Sequence, residues 1–233
     1  MQTKYLLEVS VETLEAALAA ERGGADRIEL CADLSVGGVS PSLKLMGAVR
    51  GQLQIPIFVM IRPRGGDFAY SDAEYAAMKS AIASARKLGM DGVVLGISQG
   101  DRRVDVQRTS ELVELARPLP TTFHRAFDES ANPQQALEHV IQTGAKRILT
   151  SGGAKSAPEG ARILSELVAA ARDRIVIVPG AGINASNIVQ LAKQTGGREF
   201  HSGLSSALPY GSHDFAKFEA EVRKLAEALA QLS

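Results

Sequence analysis

The sequence predicts an α/β fold, a single (β/α)8 barrel of the TIM type that occupies residues 1–233 as one domain. Three observations predict it. Short apolar runs recur along the whole chain, amphipathic segments separate them, and glycines stand where several of these segments pass into the next run. Eight evenly spaced units without an obvious linker favour a closed barrel, with an open, doubly wound sheet as the alternative.

The strands are predicted from apolar runs of four or five residues. In chain order these runs are Tyr5–Val9, Arg27–Leu30, Ile57–Ile61, Gly92–Leu95, Thr121–His124, Arg147–Thr150, Ile175–Val178 and Arg198–His201. Each is followed by a polar or glycine-containing segment, as expected for loops at the carboxyl end of a barrel.

The helices are predicted from apolar spacing and from start and stop signals. Apolar residues at three- and four-residue spacing are Tyr75, Met78, Ile82, Ala85 and Leu88, and again Phe215, Phe218, Val222, Leu225 and Leu229. Ser71–Glu74 has the form of a capping box, and Ser40-Pro41 and Asn132-Pro133 place a capping residue before a proline. The glycines expected just past helix ends are Gly24, Gly89, Gly144 and Gly197.

Composition and charge exclude several classes of protein. The 26 basic and 26 acidic residues cancel, and no basic run is present, so nucleic acid is not expected as a partner. The single cysteine, Cys31, excludes an internal disulfide framework and fits a reducing compartment. The sequence has no apolar run of the roughly 20 residues that a membrane-spanning helix needs, and no signal peptide follows Met1. We therefore expect a cytoplasmic protein without a membrane partner.

Ionisable side chains gather at the predicted strand ends, where barrel enzymes carry their active sites. The segment Thr-Phe-His-Arg-Ala-Phe-Asp at 122–128 places His124 and Asp128 after the fifth strand, while Glu8 and Glu29 close the first two strands. An imidazole titrates near neutrality, so we interpret His124 as a general acid or base. Glu8 or Glu29 would be its partner, and Asp128 is a further catalytic candidate. A histidine buried for structural reasons is the alternative.

Other residues at the strand ends predict a site for a small anion. Arg62 and Arg64 follow the third strand and are expected to share a side, which suits a phosphate or a carboxylate. The alternative is that they pair with Glu8 and Glu29 in a buried ion network. Glycine-rich turns after later strands let backbone N–H groups approach an anion. The remaining substrate-binding candidates are Arg125, Ser151, Gly152, Gly180, Gly182, His201 and Ser202.

Three kinds of chemistry lack their motif in this sequence. No lysine closes a predicted strand, which disfavours a Schiff-base aldolase. No Gly-x-Gly-x-x-Gly motif follows the first strand, so no nucleotide cofactor is expected. Neither His-x-x-x-His nor a pair of cysteines is present, which argues against a structural zinc site.

The strand-end blocks also match a known pattern when they are taken together. They are Leu7–Val9, Gly24–Cys31, Gly37-Gly38, Pro41-Ser42, Ile61–Phe68 with Tyr70, Thr122–Asp128, Arg147–Gly152, Gly180–Gly182 and Glu199–Ser202. In this order, over about residues 5–205, the blocks resemble the CutC family, which is named for copper homeostasis. The resemblance implies a TIM-type barrel, a cytoplasmic homodimer and a link to copper, with Cys31 as a ligand for Cu(I). Some relatives carry a second cysteine thought to help bind Cu(I), and this chain has only Cys31.

Three hypotheses for the function stay open at this point. The first is a copper-homeostasis protein that binds Cu(I) through Cys31, with His124 or His201 in support. The second is a barrel enzyme for a small anionic substrate, phosphorylated or sugar-like, in which Arg62 and Arg64 hold the anion and His124 moves a proton. A hard divalent ion held by the strand-end glutamates and histidines is a variant of it. The third is a binding or scaffold protein whose polar barrel mouth no longer has a ligand.

Overall fold

Eight parallel strands form a barrel in the computed structural model, which describes residues 5–204 and 211–232. The strands are β1 (Leu6–Val11), β2 (Arg27–Leu30), β3 (Ile57–Met60), β4 (Gly92–Leu95), β5 (Thr121–Phe123), β6 (Arg147–Thr150), β7 (Val176–Pro179) and β8 (Glu199–Ser202). They are paired in the order β7-β6-β5-β4-β3-β2-β1-β8. Strands β7 and β8 lie side by side, but within the described ranges they share no ladder. The predicted (β/α)8 barrel is confirmed, with a seam between β7 and β8.

Eight helices cover the outside of the barrel in the part of the chain that the structure describes. They are α1 (Leu14–Arg22), α2 (Leu43–Arg50), α3 (Asp72–Lys87), α4 (Val106–Ala116), α5 (Pro133–Gln142), α6 (Ala161–Ala171), α7 (Ile188–Thr195) and α8 (Phe215–Ala230). Two short 3-10 turns, Leu34–Val36 and Arg125–Glu129, lie at the barrel mouth. Among these helices none combines the length and apolar character needed to cross a bilayer.

The helix starts follow the predicted caps with one exception. Ser71 and Glu74 form a reciprocal capping box at the start of α3, and Asn132 caps α5 before a proline at its first turn. The start predicted at Ser40-Pro41 is wrong, because α2 begins at Leu43 with Ser42 as its cap. An extended segment of two further residues therefore links the mouth loop to α2.

The apolar core lies between the strands and the helices, whereas charged side chains fill the N-terminal end of the barrel interior. Arg27 is buried and donates to Glu8 and, at 2.8 Å, to Glu199. Arg147 donates to the same Glu199 oxygen at 2.9 Å. The two guanidinium groups lie 4.7 and 5.0 Å from the ring centroid of Phe58. This ionic layer, formed by Glu8, Arg27, Phe58, Arg147 and Glu199, is the floor beneath the barrel mouth.

Candidate functional site

A cavity of about 620 Å³ opens at the carboxyl ends of the strands. Its lining includes Glu29, His124 and His201 from the strand ends, together with loop residues that follow β3, β6, β7 and β8. Two other depressions, of about 470 and 680 Å³, lie between α3 and α4 and at the N-terminal end of the barrel. Neither is lined by any of the predicted site residues. The cavity at the mouth is therefore the candidate site, and we call it the mouth cavity.

His201 is held in the mouth cavity by Glu8, which lies opposite it in the pairing of β1 with β8. Its Nδ1 lies 2.8 Å from Glu8 Oε1, while the other Glu8 oxygen accepts from Arg27. Burial alone would raise the pKa of Glu8, but the Arg27 charge and the His201 contact outweigh it and lower the pKa to about 2. Glu8 is therefore ionised, which places the proton of His201 on Nδ1 when the ring is neutral and turns Nε2 towards Glu29, 3.9 Å from its Oε2.

Glu29 is the carboxylate of the mouth cavity that is least satisfied by its neighbours. It is 3 % exposed, and its Oε2 accepts a long hydrogen bond from Cys31 Sγ at 3.5 Å. Its Oε1 is buried without a hydrogen-bond partner among the residues described. Burial raises the pKa of Glu29, an effect that His201 opposes and the Glu8 charge reinforces. Glu29 is therefore a carboxyl group with unused hydrogen-bonding capacity, beside the cavity.

Cys31 lies behind this site and does not line the cavity. It is fully buried and packs with Phe58, Met60 and Val94. Its contact with Glu29 agrees with the expectation that alternate side chains of β2 share a face. Burial and the adjacent Glu29 charge raise the pKa of this thiol well above its ordinary value. As the structure has it, Cys31 is a protonated, inaccessible thiol.

His124 follows the end of β5 and forms a side wall of the cavity. Its Nδ1 accepts from the backbone N–H of Ala126 at 3.2 Å, so the ring proton lies on Nε2, which has no partner among the described residues. The ring stands 4.7 Å from that of Phe68. It is accommodated by Gly96, since a Cβ there would lie 2.6 Å from His124 Nδ1.

Burial, together with the nearby Arg62 charge, lowers the pKa of His124 to about 3. The imidazole is therefore neutral at pH 7. It is suited to donating a hydrogen bond from Nε2 and poorly suited to carrying a proton. This differs from the general acid or base that the sequence predicts, because the sequence does not report how completely the ring is desolvated.

Arg62 and Arg64 do not share a side as the sequence predicts. Arg62 is buried and lines the cavity, but its Nη atoms donate to the carbonyls of Val36, Gly38 and Gly66. Arg64 lies outside the cavity. Its guanidinium pairs with Glu74 and Asp67 and donates to nearby backbone carbonyls, in a side chain that is 38 % exposed. Of the two arginines predicted to hold an anion, only Arg62 therefore places its charge at the cavity. The predicted alternative, a network of these arginines with Glu8 and Glu29, is also wrong, because Arg27 and Arg147 take that place.

The loop after β6 is bound by a carboxylate of the protein itself, that of Asp128, which follows β5. Asp128 accepts from the backbone N–H groups of Ser151 and Gly153, each at 3.1 Å, from Ser151 Oγ at 3.0 Å and from Arg125 Nε at 2.8 Å. Thr150 Oγ1 donates to it as well. Four candidates of the predicted site, Arg125, Asp128, Ser151 and Gly152, therefore belong to one internally satisfied turn, in which the N–H of Gly152 donates to Thr150 Oγ1. Asp128 occupies the place predicted for an external anion.

The loops after β7 and β8 differ from the β6 loop in this respect. Ala181 and Gly182 both have positive φ, +77° and +70°, and line the cavity with Ile183 and Gly203. Within the described ranges, the backbone N–H groups of these four residues donate to no protein acceptor. Two other predicted residues play supporting parts: Gly180 donates to Thr150 O, and Ser202 Oγ donates to Ile183 O at 2.8 Å. The side chain of Lys155 is exposed at the same rim.

Sequence reasoning missed the charged residues at the strand beginnings, Arg27, Arg147 and Glu199. A signal was present, because Arg27 and Arg147 begin predicted strands and Glu199 is the second residue of the last one. In the barrel Arg27 donates to Glu8, and Glu199 accepts from both Arg27 and Arg147.

The fold and the mouth cavity define the class of protein: a (β/α)8 barrel with a polar site at the carboxyl ends of its strands. The model of the CutC family matches residues 5–206, so the chain belongs to the CutC family, as the resemblance indicates. A copper homeostasis protein cutC homolog of Homo sapiens is 46% identical over 207 residues, which cover 89% of this chain and 76% of that protein. A family protein CutC of Chromobacterium violaceum is 44% identical over 241 aligned residues, 96% of this chain and 98% of that protein.

Solved structures agree with this assignment. A crystal structure from Streptococcus agalactiae, named as a copper homeostasis protein CutC, has a TM-score of 0.82 at 32% identity and covers 85% of this chain and 98% of that one. A thiamine phosphate pyrophosphorylase from Pyrococcus furiosus has a TM-score of 0.66 at 15% identity, covering 99% of this chain and 98% of that one. At that identity the second likeness shows the shared barrel fold alone.

Proposed function

We propose that this CutC-family chain binds a small anionic organic molecule in the mouth cavity and carries out proton chemistry on it. The observation that carries the proposal is a pair of buried polar atoms, Glu29 Oε1 and His124 Nε2, on residues that line the cavity and without partners among the described residues. Leaving a buried donor or acceptor unpaired costs about 1–3 kcal/mol. A bound ligand that supplies one donor and one acceptor offsets that cost.

The anionic end of the ligand is assigned to the loops after β7 and β8. Their N–H groups at Ala181, Gly182, Ile183 and Gly203 have no acceptor among the described residues. Such groups are donors of the kind that hold phosphate in other barrels at this position. Lys155 adds an exposed positive charge at the rim. This replaces the predicted clamp of Arg62 and Arg64, although the buried charge of Arg62 still favours a negative ligand.

The reacting end of the ligand is assigned to Glu29 and His124. The raised pKa of Glu29 makes its carboxylate a better proton acceptor than an exposed one. The neutral ring of His124 offers Nε2–H to a carbonyl or hydroxyl oxygen, which stabilises negative charge that develops there. The sequence predicts His124 as the acid or base and a glutamate as its partner. In this proposal Glu29 accepts the proton and His124 donates a hydrogen bond.

The copper link of the family does not fit Cys31 in its present surroundings. Cu(I) prefers thiolate and thioether ligands. Met60 is near, in the same buried cluster, but Cys31 is fully buried, protonated and bonded to Glu29. Deprotonating this thiol beside a carboxylate is costly. Cu(I) capture through Cys31 stays a prediction that requires the cluster to open. The homodimer and the cytoplasmic location implied by the resemblance also stay predictions.

Titration of the protein with inorganic phosphate and a panel of sugar phosphates tests the proposal, with thermal stability and calorimetry as readouts. We expect phosphate compounds to raise the melting temperature, since a ligand that binds only the folded state stabilises it. Lys155→Ala is expected to weaken binding about tenfold, roughly 1.4 kcal/mol. Arg64→Ala is the matched control, a cation outside the cavity, and is expected to bind as the parent does. Absence of binding, or equal losses in the two variants, would contradict the proposal.

A further inference from the structure

Three neighbouring strands bring a carboxylate–imidazole–carboxylate group to the base of the mouth cavity. Glu8 on β1, Glu29 on β2 and His201 on β8 are all buried, and one donor atom of each lies within 4.8 Å of the others. The strand order β8-β1-β2 fixes this arrangement, because Glu8 lies opposite His201 in one ladder and Ser10 lies opposite Glu29 in the next.

The three residues are not equivalent, because both Glu8 oxygens are already used. One accepts from Arg27 and the other contacts His201 Nδ1 at 2.8 Å. A carboxylate that accepts from one ring nitrogen fixes the orientation of the imidazole and leaves the other nitrogen with its lone pair exposed. Glu8 is thus placed to orient His201 rather than to bind a ligand itself.

His201 Nε2 and Glu29 Oε2 are separated by 3.9 Å. This separation is too long for a hydrogen bond. Two ligand atoms at about 2.0–2.1 Å from one tetrahedral ion lie about 3.3–3.4 Å apart, so the two side chains would approach each other by about 0.5 Å on binding it. A second, independent observation concerns Glu29, which is 97 % buried, since its exposed fraction is 3 %. Its Oε1 has no partner among the residues described, on a side chain that lines the cavity.

We propose that His201 Nε2 and the Glu29 carboxylate bind a divalent ion of the zinc class, with Glu8 as the positioning residue. Imidazole and carboxylate together suit zinc and its neighbours in the first transition series, and they do not suit Cu(I). Functional zinc sites have three protein ligands and one position open to water or substrate, so a third protein ligand is expected beside His201 and Glu29. Cys31 Sγ, 3.5 Å from Glu29 Oε2, is the nearest candidate for a third ligand.

The inference goes beyond the proposed function, because the ion binds to the protein without any organic ligand. The two proposals share Glu29, whose carboxylate accepts a proton in the metal-free protein and becomes a weaker base when an ion is bound at Oε2. Each proposal can be rejected without the other, because metal binding is measured without phosphate compounds and phosphate binding is measured in chelator-treated protein.

The test is calorimetric titration of the untagged, chelator-treated full chain with Zn²⁺, supported by the visible absorption spectrum of Co²⁺ as a probe of ligand type. We expect one ion per chain. Glu29→Gln and His201→Gln keep the side-chain volume close to that of the parent and are expected to lower the affinity at least a hundredfold. Glu8→Gln is expected to lower it about 10- to 100-fold, as for other residues that orient a ligating histidine. His213→Ala removes an exposed histidine outside the cavity and is expected to have no effect.

Circular dichroism and thermal melting establish that each variant is folded before it is titrated. Cys31→Ser then decides the third ligand: loss of the sulfur-to-Co²⁺ charge-transfer band assigns the thiol, and an unchanged spectrum assigns a site of nitrogen and oxygen ligands alone. The proposal is overturned if the parent binds no Zn²⁺, or if Glu29→Gln and His201→Gln bind as tightly as His213→Ala. Parental affinity in Glu8→Gln would remove the positioning role.

Discussion

The two ends of the barrel interior treat buried charge in opposite ways. In the ionic layer at the N-terminal end, Arg27 lies between Glu8 and Glu199, and Arg147 pairs with the same Glu199 oxygen. The Phe58 ring fills the space between the guanidinium groups. Arg147 Nη1 is the one fully buried polar side-chain atom of this layer that lacks a partner among the described residues. We therefore interpret the ionic layer as a structural network.

In the mouth cavity the polar groups are incompletely paired. Glu29 Oε1, His124 Nε2 and Arg62 Nε are buried without partners among the described residues. All three residues line the same cavity. A protein gains nothing in stability from such atoms, so three of them on ionisable residues around one cavity indicate a site that a ligand completes. The hydrogen-bond and ion-pair partners of a buried charged group, rather than the presence of its charge, therefore distinguish the ionic layer from the mouth cavity.

The largest expected effect is the loss of the shared carboxylate of the ionic layer. Glu199→Ala leaves the buried Arg27 and the half-buried Arg147 with one acceptor fewer, and breaking a buried ion pair from one side costs about 3–5 kcal/mol. Urea unfolding at pH 7 measures the change in the free energy of unfolding. Glu138→Ala is the control, because Glu138 pairs with Arg174 at the surface, where ion pairs contribute little. Similar effects of the two substitutions would show that the ionic layer is not a structural unit.

A smaller effect is expected from the pH dependence that His124 imposes on stability. The pKa of His124 is about 3 in the folded protein, whereas an unfolded histidine titrates near 6.5. The unfolded state therefore binds the proton first, and the stability that the neutral ring contributes is lost as the pH falls from about 6.5 towards 3. Between pH 7 and pH 5 the parent is expected to lose about 2 kcal/mol more than His124→Gln does. Urea unfolding at both pH values measures this, and equal losses in the two proteins would show that His124 is not desolvated as the structure indicates.

The fold could be predicted from the sequence because its signals are local. Apolar runs, helix caps and the glycines before strands each depend on a few consecutive residues, and seven of the eight predicted strands overlap the observed ones to within one residue at each end. The first strand, predicted as Tyr5–Val9, extends to Val11. Its last two residues are buried, and pairing with β2 continues to Val11, which a short apolar run does not reveal.

The site could be predicted only in part, because pairing is not local. The rule that strand ends carry the site selected Glu29, His124 and His201, and the three residues lie around one cavity. It also selected Asp128, but the sequence does not show that the loop after β6 folds back to satisfy that carboxylate. Arg27 and Glu199 are 172 positions apart, and only closure of the barrel brings them together.

The smallest expected effect on stability comes from neutralising Glu29, whose Oε1 has no partner among the described residues. Glu29→Gln preserves the acceptor for Cys31 and removes a buried charge that no arginine or lysine pairs within the described residues, so the free energy of unfolding is expected to stay constant or to rise by up to about 1 kcal/mol. Glu8→Gln is the matched comparison, since it weakens the contacts with Arg27 and His201 and is expected to be clearly destabilising. Urea unfolding of both variants in chelator-treated protein decides the matter. If the two substitutions destabilise equally, Glu29 belongs to the same structural network as Glu8, and the contrast between the two ends of the barrel disappears.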